Sequence, residues 1–213
     1  MGFVYEVRDV KEHIKRTTQD GGQFDKYLLS EYQEFRPSGG NSYNGRIAPP
    51  TWTGPNGEKA THYGYEIWLN YKVGTDDGTY IARYKHGFPD DDAVQDLILR
   101  LRAEGADKYK AAIKSVTAKK RVLVWWLGRG SEHEGWKLWS MPWTVDKDIA
   151  KRAYEKGTGS VLLIDHPTDG YDISFDVEGK GRNTKYTTVD VARRPSPIVE
   201  DPAEMEKLLQ FVV

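Results

Sequence analysis

Strict alternation of apolar and polar positions predicts β-strands along much of the chain. In residues 171–177, Tyr171, Ile173, Phe175 and Val177 share one side, and three polar residues share the other. Residues 62–73 repeat the pattern, and a period of two is typical of a strand with one buried face. Turn residues rich in Gly, Pro, Asn and Asp separate these segments. Further strands are predicted at residues 45–48, 79–86, 121–127, 136–140, 161–165 and 184–191.

The middle of the chain has a helical period instead. Val94, Leu97, Ile98 and Leu101 follow i, i+3, i+4, i+7 spacing, and residues 90–92 offer an acidic N-cap. A second helix is predicted over 109–116, and others over 9–18 and 144–156, the last capped by Thr144. The predicted fold is therefore β-rich α+β, an elaborated barrel of the OB type. Its helical insertion, at about 88–118, falls between strands 3 and 4.

Three regions are predicted along the 213 residues. Residues 1–40 form an N-terminal extension, 41–198 form the barrel core with its insertion, and 199–213 form an acidic C-terminal segment. No internal repeat or low-complexity tract is visible. The N-terminus lacks an apolar signal region, and no apolar run has the length of a membrane helix. We expect a soluble protein without membrane contact.

Composition excludes several chemistries. The chain has no Cys, which rules out disulfides, thiolate metal sites and a catalytic thiol. Its five His are scattered without the spacing of metal ligands, and no P-loop or nucleophile–base motif is present. We therefore expect no enzyme activity, no metal and no cofactor, although carboxylates at 76–77 and 90–92 leave a Mg²⁺-dependent nuclease as a rival.

Local charge indicates a binding surface despite a net charge of −1. Residues 179–194 carry five Lys or Arg and one acid, Asp190, with Tyr186 among them. Cations interleaved with aromatic rings suit single-stranded nucleic acid, whose phosphates and bases alternate. For the six cations of residues 108–121 we favour the solvated face of a helix, and for the five Trp of residues 125–143 we favour a core.

Many short motifs, in this order and spacing, resemble the single-stranded DNA-binding proteins of tailed bacteriophages, which are built on an OB fold. They are Gly22–Asp25, Phe35–Pro37, Asn44–Trp52, His62–Ile67, Gly78–Tyr80, Trp136–Pro142, Asp169–Ile173, Gly179–Tyr186 and Pro195–Pro197.

The resemblance implies sequence-independent single-stranded DNA binding during phage DNA replication, recombination or repair, in the cytoplasm of the infected bacterial host. It also implies contacts with replication proteins through the acidic C-terminus, and self-association along DNA. A zinc cluster found in many of these proteins does not carry over, because Cys-free residues 88–118 take its place. A phage structural or assembly protein, using its aromatic surface for protein contacts, is the alternative.

Two sets of residues are predicted to form the DNA site. The expected phosphate contacts are Arg46, Arg83, Lys85, Lys120, Lys180, Arg182 and Lys185. The expected base-stacking residues are Trp52, Trp68, Tyr80 and Tyr186.

Overall fold

A computed structural model describes residues 32–50, 62–75, 78–88, 92–154, 157, 159–180 and 183–212. The predicted helix at 9–18, the acidic pair at 76–77, Trp52 and Arg182 lie outside these residues.

The described residues form a mixed α+β fold with eight strands in one sheet and four α-helices. The strands are β1 (Gln33–Glu34), β2 (Asn41–Ile47), β3 (Tyr65–Val73), β4 (Gly78–Ile81), β5 (Lys119–Gly128), β6 (Lys137–Pro142), β7 (Ile173–Glu178) and β8 (Lys185–Val191). The helices are α1 (Ala93–Gly105), α2 (Lys110–Val116), α3 (Trp143–Ala153) and α4 (Pro202–Val212).

Strand β5 is the centre of the sheet, whose main path runs β1-β6-β5-β2-β7-β8. One side of β5 pairs with β6, and its other side is divided between β3 near the start and β2 near the end. Strand β4 extends the sheet from β3. Among the described residues, the pairings leave β1, β4 and β8 as edges, and the sheet is not closed into a barrel.

The core lies on one face of this sheet. Val122, Val124 and Trp126 alternate along β5 and are buried with Trp139 of β6 and Phe175 of β7. The rings of Trp139 and Phe175 stack at 4.9 Å between centroids. The prediction that the Trp-rich stretch lies in the core is confirmed for Trp126, Trp136 and Trp139. Burial of such large rings is a main source of stability.

Helix α1 begins where its capping signal predicts. Asp92 is the N-cap, and its Oδ1 accepts hydrogen bonds from Val94 N at 3.1 Å and Gln95 N at 3.0 Å. These bonds satisfy backbone donors that the first turn leaves unpaired.

Two predicted strands and one predicted helix cap were wrong. The strand at 79–86 stops at Ile81, because Lys85 N bonds to Ala82 O and residues Arg83–His86 form a 3-10 turn. The strand at 161–165 is a series of tight turns with one isolated bridge, Tyr154 to Val161. The helix predicted at 144–156 is present from Trp143 to Ala153, but its N-cap position is occupied by Pro142 and not by Thr144.

Helix α4 packs against a second buried cluster formed by Ala48, Leu127, Trp136, Ile198 and Leu208. The indole Nε1 of Trp136 donates to the Leu208 carbonyl at 2.9 Å. In the described part of the chain, no helix is long and apolar enough to cross a bilayer.

Candidate nucleic-acid interface

A groove of about 1350 Å³ opens between the two ends of the main strand path. Residues 34–37, at and after β1, line it together with residues 184–187, at the start of β8. The sheet is therefore curved enough for its two edges to border one cleft. We call this cleft the cationic groove; its other lining residues are Tyr71, Lys72, Thr79, Ala111, Lys114, Ser115, Lys119, Lys120, Arg121, Trp139, Ser140, Pro142, Trp143 and Thr144.

Positive charge is concentrated in the cationic groove. Seven of its lining residues are Lys or Arg and one, Glu34, is acidic, in a chain whose net charge is −1. Such segregation creates a local positive potential that attracts anions without any overall charge.

Some of these cations already have partners. Arg36 pairs with Glu34 at 2.6 Å, Lys120 pairs with Glu66 at 2.5 Å, and Arg121 Nε donates to the Tyr71 hydroxyl at 2.9 Å. Lys114, Lys119 and Lys185 are exposed and form no ion pair with other described residues. These three ammonium groups are available to a ligand.

Aromatic side chains lie between the cations. Trp143, the first residue of α3, has 39% of its surface exposed, and the Lys120 ammonium lies 3.8 Å from its ring centroid. Tyr186 is half-buried against Trp139 and Phe175. Burial raises the pKa of Tyr186, so its hydroxyl stays neutral near neutral pH and adds no negative charge to the groove.

The cationic groove brings together three of the predicted site residues, Lys120, Lys185 and Tyr186. Lys120 and Lys185 approach it from different strands, β5 and β8.

Four other predicted residues lie on β3 and β4 or in the turn after β4, and we call this set the β3–β4 patch. Lys85 lies over the ring of Trp68 at 4.9 Å, Arg83 lies over Phe88 at 5.5 Å, and Tyr80 is 50% exposed. Trp68 is the register partner of Lys120, so the patch adjoins the groove without lining it.

Arg46 is not a surface residue, which corrects its prediction as a phosphate contact. Its side chain is 0% exposed, and its guanidinium donates to the carbonyls of His166, at 2.5 Å, and Ser196. Burial lowers the pKa of Arg46 to about 10 despite the nearby charge of Asp172. It holds residues 166 and 196 against β2 and cannot reach a phosphate in this arrangement.

Lys180 is exposed in the β7–β8 turn but does not line the groove. Arg182 and Trp52 lie outside the described residues.

Sequence reasoning missed Lys72, Lys114, Lys119, Arg121 and Trp143 as groove residues. The acid-free run of cations at 108–121 was the available signal for three of them. A signal for Trp143 is harder to find, because its neighbouring tryptophans are mostly buried.

Within the described residues, no three His, Asp or Glu side chains converge as a metal site would require. No family model matches the chain, and no curated protein is significantly similar to it.

Proposed function

We propose that this protein binds single-stranded DNA without sequence preference, through the cationic groove. The observation that carries the proposal is the composition of the groove, seven cations and one acid interleaved with exposed or half-exposed rings. Phosphates are bound by the cations and bases by the rings, and neither contact depends on base identity.

Each type of contact has specific candidates. Lys119 and Lys185 are exposed and unpaired among the described residues, and they would contact phosphates directly. Lys120 would exchange its ion pair with Glu66 for a phosphate. Trp143 and Tyr186 would stack on bases.

The β3–β4 patch is a proposed extension of this path. A strand that leaves the groove at Lys120 would meet Trp68 on the neighbouring strand, and then Lys85. Tyr80 and Arg83 belong to this proposed extension, and Lys180 and Arg182 are further phosphate contacts proposed from the sequence.

The relation to an OB barrel is part of the proposal. It is supported by the position of the helical insertion, α1 and α2, which follows β4 and precedes β5. The sequence analysis did not predict the two-residue strand β1, so its strands 3 and 4 correspond to β4 and β5 of the structure. The insertion therefore lies where it was expected. The edges of the sheet at β1 and β8 both border the groove, as they would in a barrel whose first and last strands are not paired.

The biological setting follows from the resemblance to phage proteins. We place the activity in phage DNA replication, recombination or repair, in the cytoplasm of the infected host, without catalysis. Replication proteins at the acidic C-terminal segment and further copies along the DNA are the proposed partners.

Binding of fluorescein-labelled oligo-dT, measured by anisotropy at several salt concentrations, tests the proposal. We expect binding of dT, dA and dC oligomers with similar affinity, and weaker binding of duplex. The variant Lys119→Glu/Lys185→Glu should lose at least about tenfold in affinity, or about 1.4 kcal/mol. Its slope of log K against log[salt] should fall by about 1.4, since each single-strand phosphate contact contributes about 0.7.

The double variant Lys147→Glu/Lys151→Glu is the matched control, because both lysines are exposed on α3 outside the groove. Equal losses in the two double variants would show a non-specific charge effect and contradict a groove site. Absence of oligo-dT binding by the wild type would refute the function itself.

The alternative, a structural or assembly protein, is favoured by a different surface. Tyr154, Val161 and Leu163 are 48%, 62% and 60% exposed, and the backbones of Tyr154 and Val161 are joined by a bridge. An apolar surface of this kind suits protein contacts. A protein with that role would leave the anisotropy of oligo-dT unchanged.

A further inference from the structure

The insertion formed by α1 and α2 contributes little to the hydrophobic core. In α1 only Ile98 is fully buried, and Leu97 and Leu99 are 43% and 51% exposed. No residue of α2 is fully buried. Packing of the core therefore does not account for this part of the chain.

The insertion is nevertheless held firmly at both ends by buried polar side chains. Asn70 of β3 is 0% exposed, and its Nδ2 donates to the Val116 carbonyl at the end of α2, at 2.7 Å. Asp92 is 6% exposed and, besides capping α1, accepts a bond from Tyr84 N at 3.2 Å. Buried polar groups cost free energy unless they are bonded, and these bonds compensate Asp92 and the Asn70 amide nitrogen, while Asn70 Oδ1 has no partner among the described residues. The two side chains thereby tie the insertion to β3 and to the turn at residues 83–86.

The fixed position brings α2 to the cationic groove. Ala111, Lys114 and Ser115 line the groove from one face of α2. Lys114 is exposed and has no ion pair among the described residues. Lys119 and Lys120, which follow α2 directly, lie in the same groove.

We propose that helix α2 of the insertion is a ligand-binding wall of the cationic groove, in which Lys114 contacts the phosphate backbone of a bound single strand. This inference rests on the proposed function and adds an element to it. The strand would be held by charges from α2, from β5 and from β8, and Asn70 would position α2 for that contact. The role of Lys114 is then to attract a phosphate by its charge, and it is separate from any packing in the hydrophobic core.

The test compares Lys114→Glu and Lys114→Gln with Lys147→Glu, a lysine exposed on α3 outside the groove. Oligo-dT affinity is measured by anisotropy across a salt series. We expect Lys114→Gln to reduce the slope of log K against log[salt] by about 0.7, the contribution of one phosphate. Lys114→Glu should weaken binding further, and Lys147→Glu should match the wild type.

Lys114→Gln controls for loss of folding. A negative charge in the last turn of a helix destabilises the helix, whereas a neutral amide does not. Hydrogen exchange of the α2 amides, with and without oligo-dT, provides a second readout, and we expect added protection. Lys114 variants that match Lys147→Glu, without added protection, would overturn the inference even where Lys119→Glu/Lys185→Glu loses binding. If Lys119→Glu/Lys185→Glu also binds oligo-dT with the affinity of its control Lys147→Glu/Lys151→Glu, the proposed function itself is wrong, and not only the role of α2.

Discussion

Trp143 combines an exposed aromatic ring with a bound cation at the groove. Its ring is 39% exposed at the groove, and one face carries the Lys120 ammonium at 3.8 Å. A cation over an aromatic face is stabilised electrostatically. In a complex with a single strand, the Lys120 ammonium would lie next to the phosphate of a base stacked on Trp143.

We expect Trp143→Ala to weaken oligo-dT binding by about 5- to 150-fold, because stacking contributes about 1–3 kcal/mol per base. The dependence of log K on log[salt] should stay at the wild-type slope, since no phosphate contact is removed. A fluorescence anisotropy titration at three salt concentrations measures both quantities.

Tyr154→Ala is the control for Trp143→Ala, because Tyr154 is 48% exposed and lies outside the groove. A stacking role for Trp143 would be excluded by equal affinities of the two variants. It would also be excluded by a change of slope that accounts for the whole loss.

Arg46 marks the limit of reasoning from residue type. An Arg on a strand near Trp52 fits a phosphate contact by sequence, but β2 lies inside the sheet, between β5 and β7. Its guanidinium there pairs with backbone carbonyls, and the similar network of Arg129 with Asp172 lies beside it. The sequence pattern indicates which residues share a strand face, but it does not show which strand becomes central.

At the scale of elements, a small polar cluster joins residues 62–64 to α3. The Tyr63 hydroxyl donates to Asp146 Oδ1 at 2.5 Å, and His62 Nε2 lies 3.1 Å from the same oxygen. Asp146 is 3% exposed, so its charge is compensated by these two groups. Burial and the charge of Asp146 raise the pKa of Tyr63, which remains a donor.

The cluster predicts a pH-dependent stability. Burial disfavours the charged form of His62, but the hydrogen bond and charge of Asp146, with Gly64 O and Glu66, outweigh it and raise its pKa. A raised pKa means that the imidazolium stabilises the fold below the unfolded value of about 6.5, and that this stabilisation disappears as pH rises through the folded pKa. The free energy of unfolding should therefore differ more between wild type and His62→Gln at pH 5.5 than at pH 9.

Urea denaturation of the two proteins at both pH values measures this difference. Comparing the two proteins at each pH cancels the titration of groups that they share. A difference that is equal at pH 5.5 and pH 9, or larger at pH 9, would contradict the His62–Asp146 pairing.

Elements with strong local signals were predicted well from the sequence. The alternation of Tyr171–Val177 led to β7, and the acidic cap led to α1 beginning after Asp92. Residues 161–165 are as apolar as a strand, but they turn at Leu162–Ile164 and expose Val161 and Leu163. Hydrophobicity alone does not distinguish such a turn from a strand, because either structure can bury an apolar side chain, as this turn buries Ile164.

At the scale of the whole molecule, the groove is assembled from segments far apart in sequence. Residues at and after β1, the ends of β3 and β4, α2, β5, β6, the first turn of α3, and β8 all contribute side chains. Lys120, Lys185 and Tyr186 could be chosen from local charge and aromatic content. Their meeting with Trp143 and Lys114 depends on the curvature of the sheet, for which the sequence offers no local signal.

Photo-cross-linking tests the central claim, that unpaired bases lie in the cationic groove, most directly. An oligonucleotide carrying 5-iodouracil is irradiated with the 213-residue protein, and the cross-linked peptides are identified by mass spectrometry. The account predicts cross-links at Trp143, Tyr186 or Tyr71, three of the aromatic residues that line the groove. Cross-links confined to the exposed surface of Tyr154, or to the face covered by α4, would contradict it.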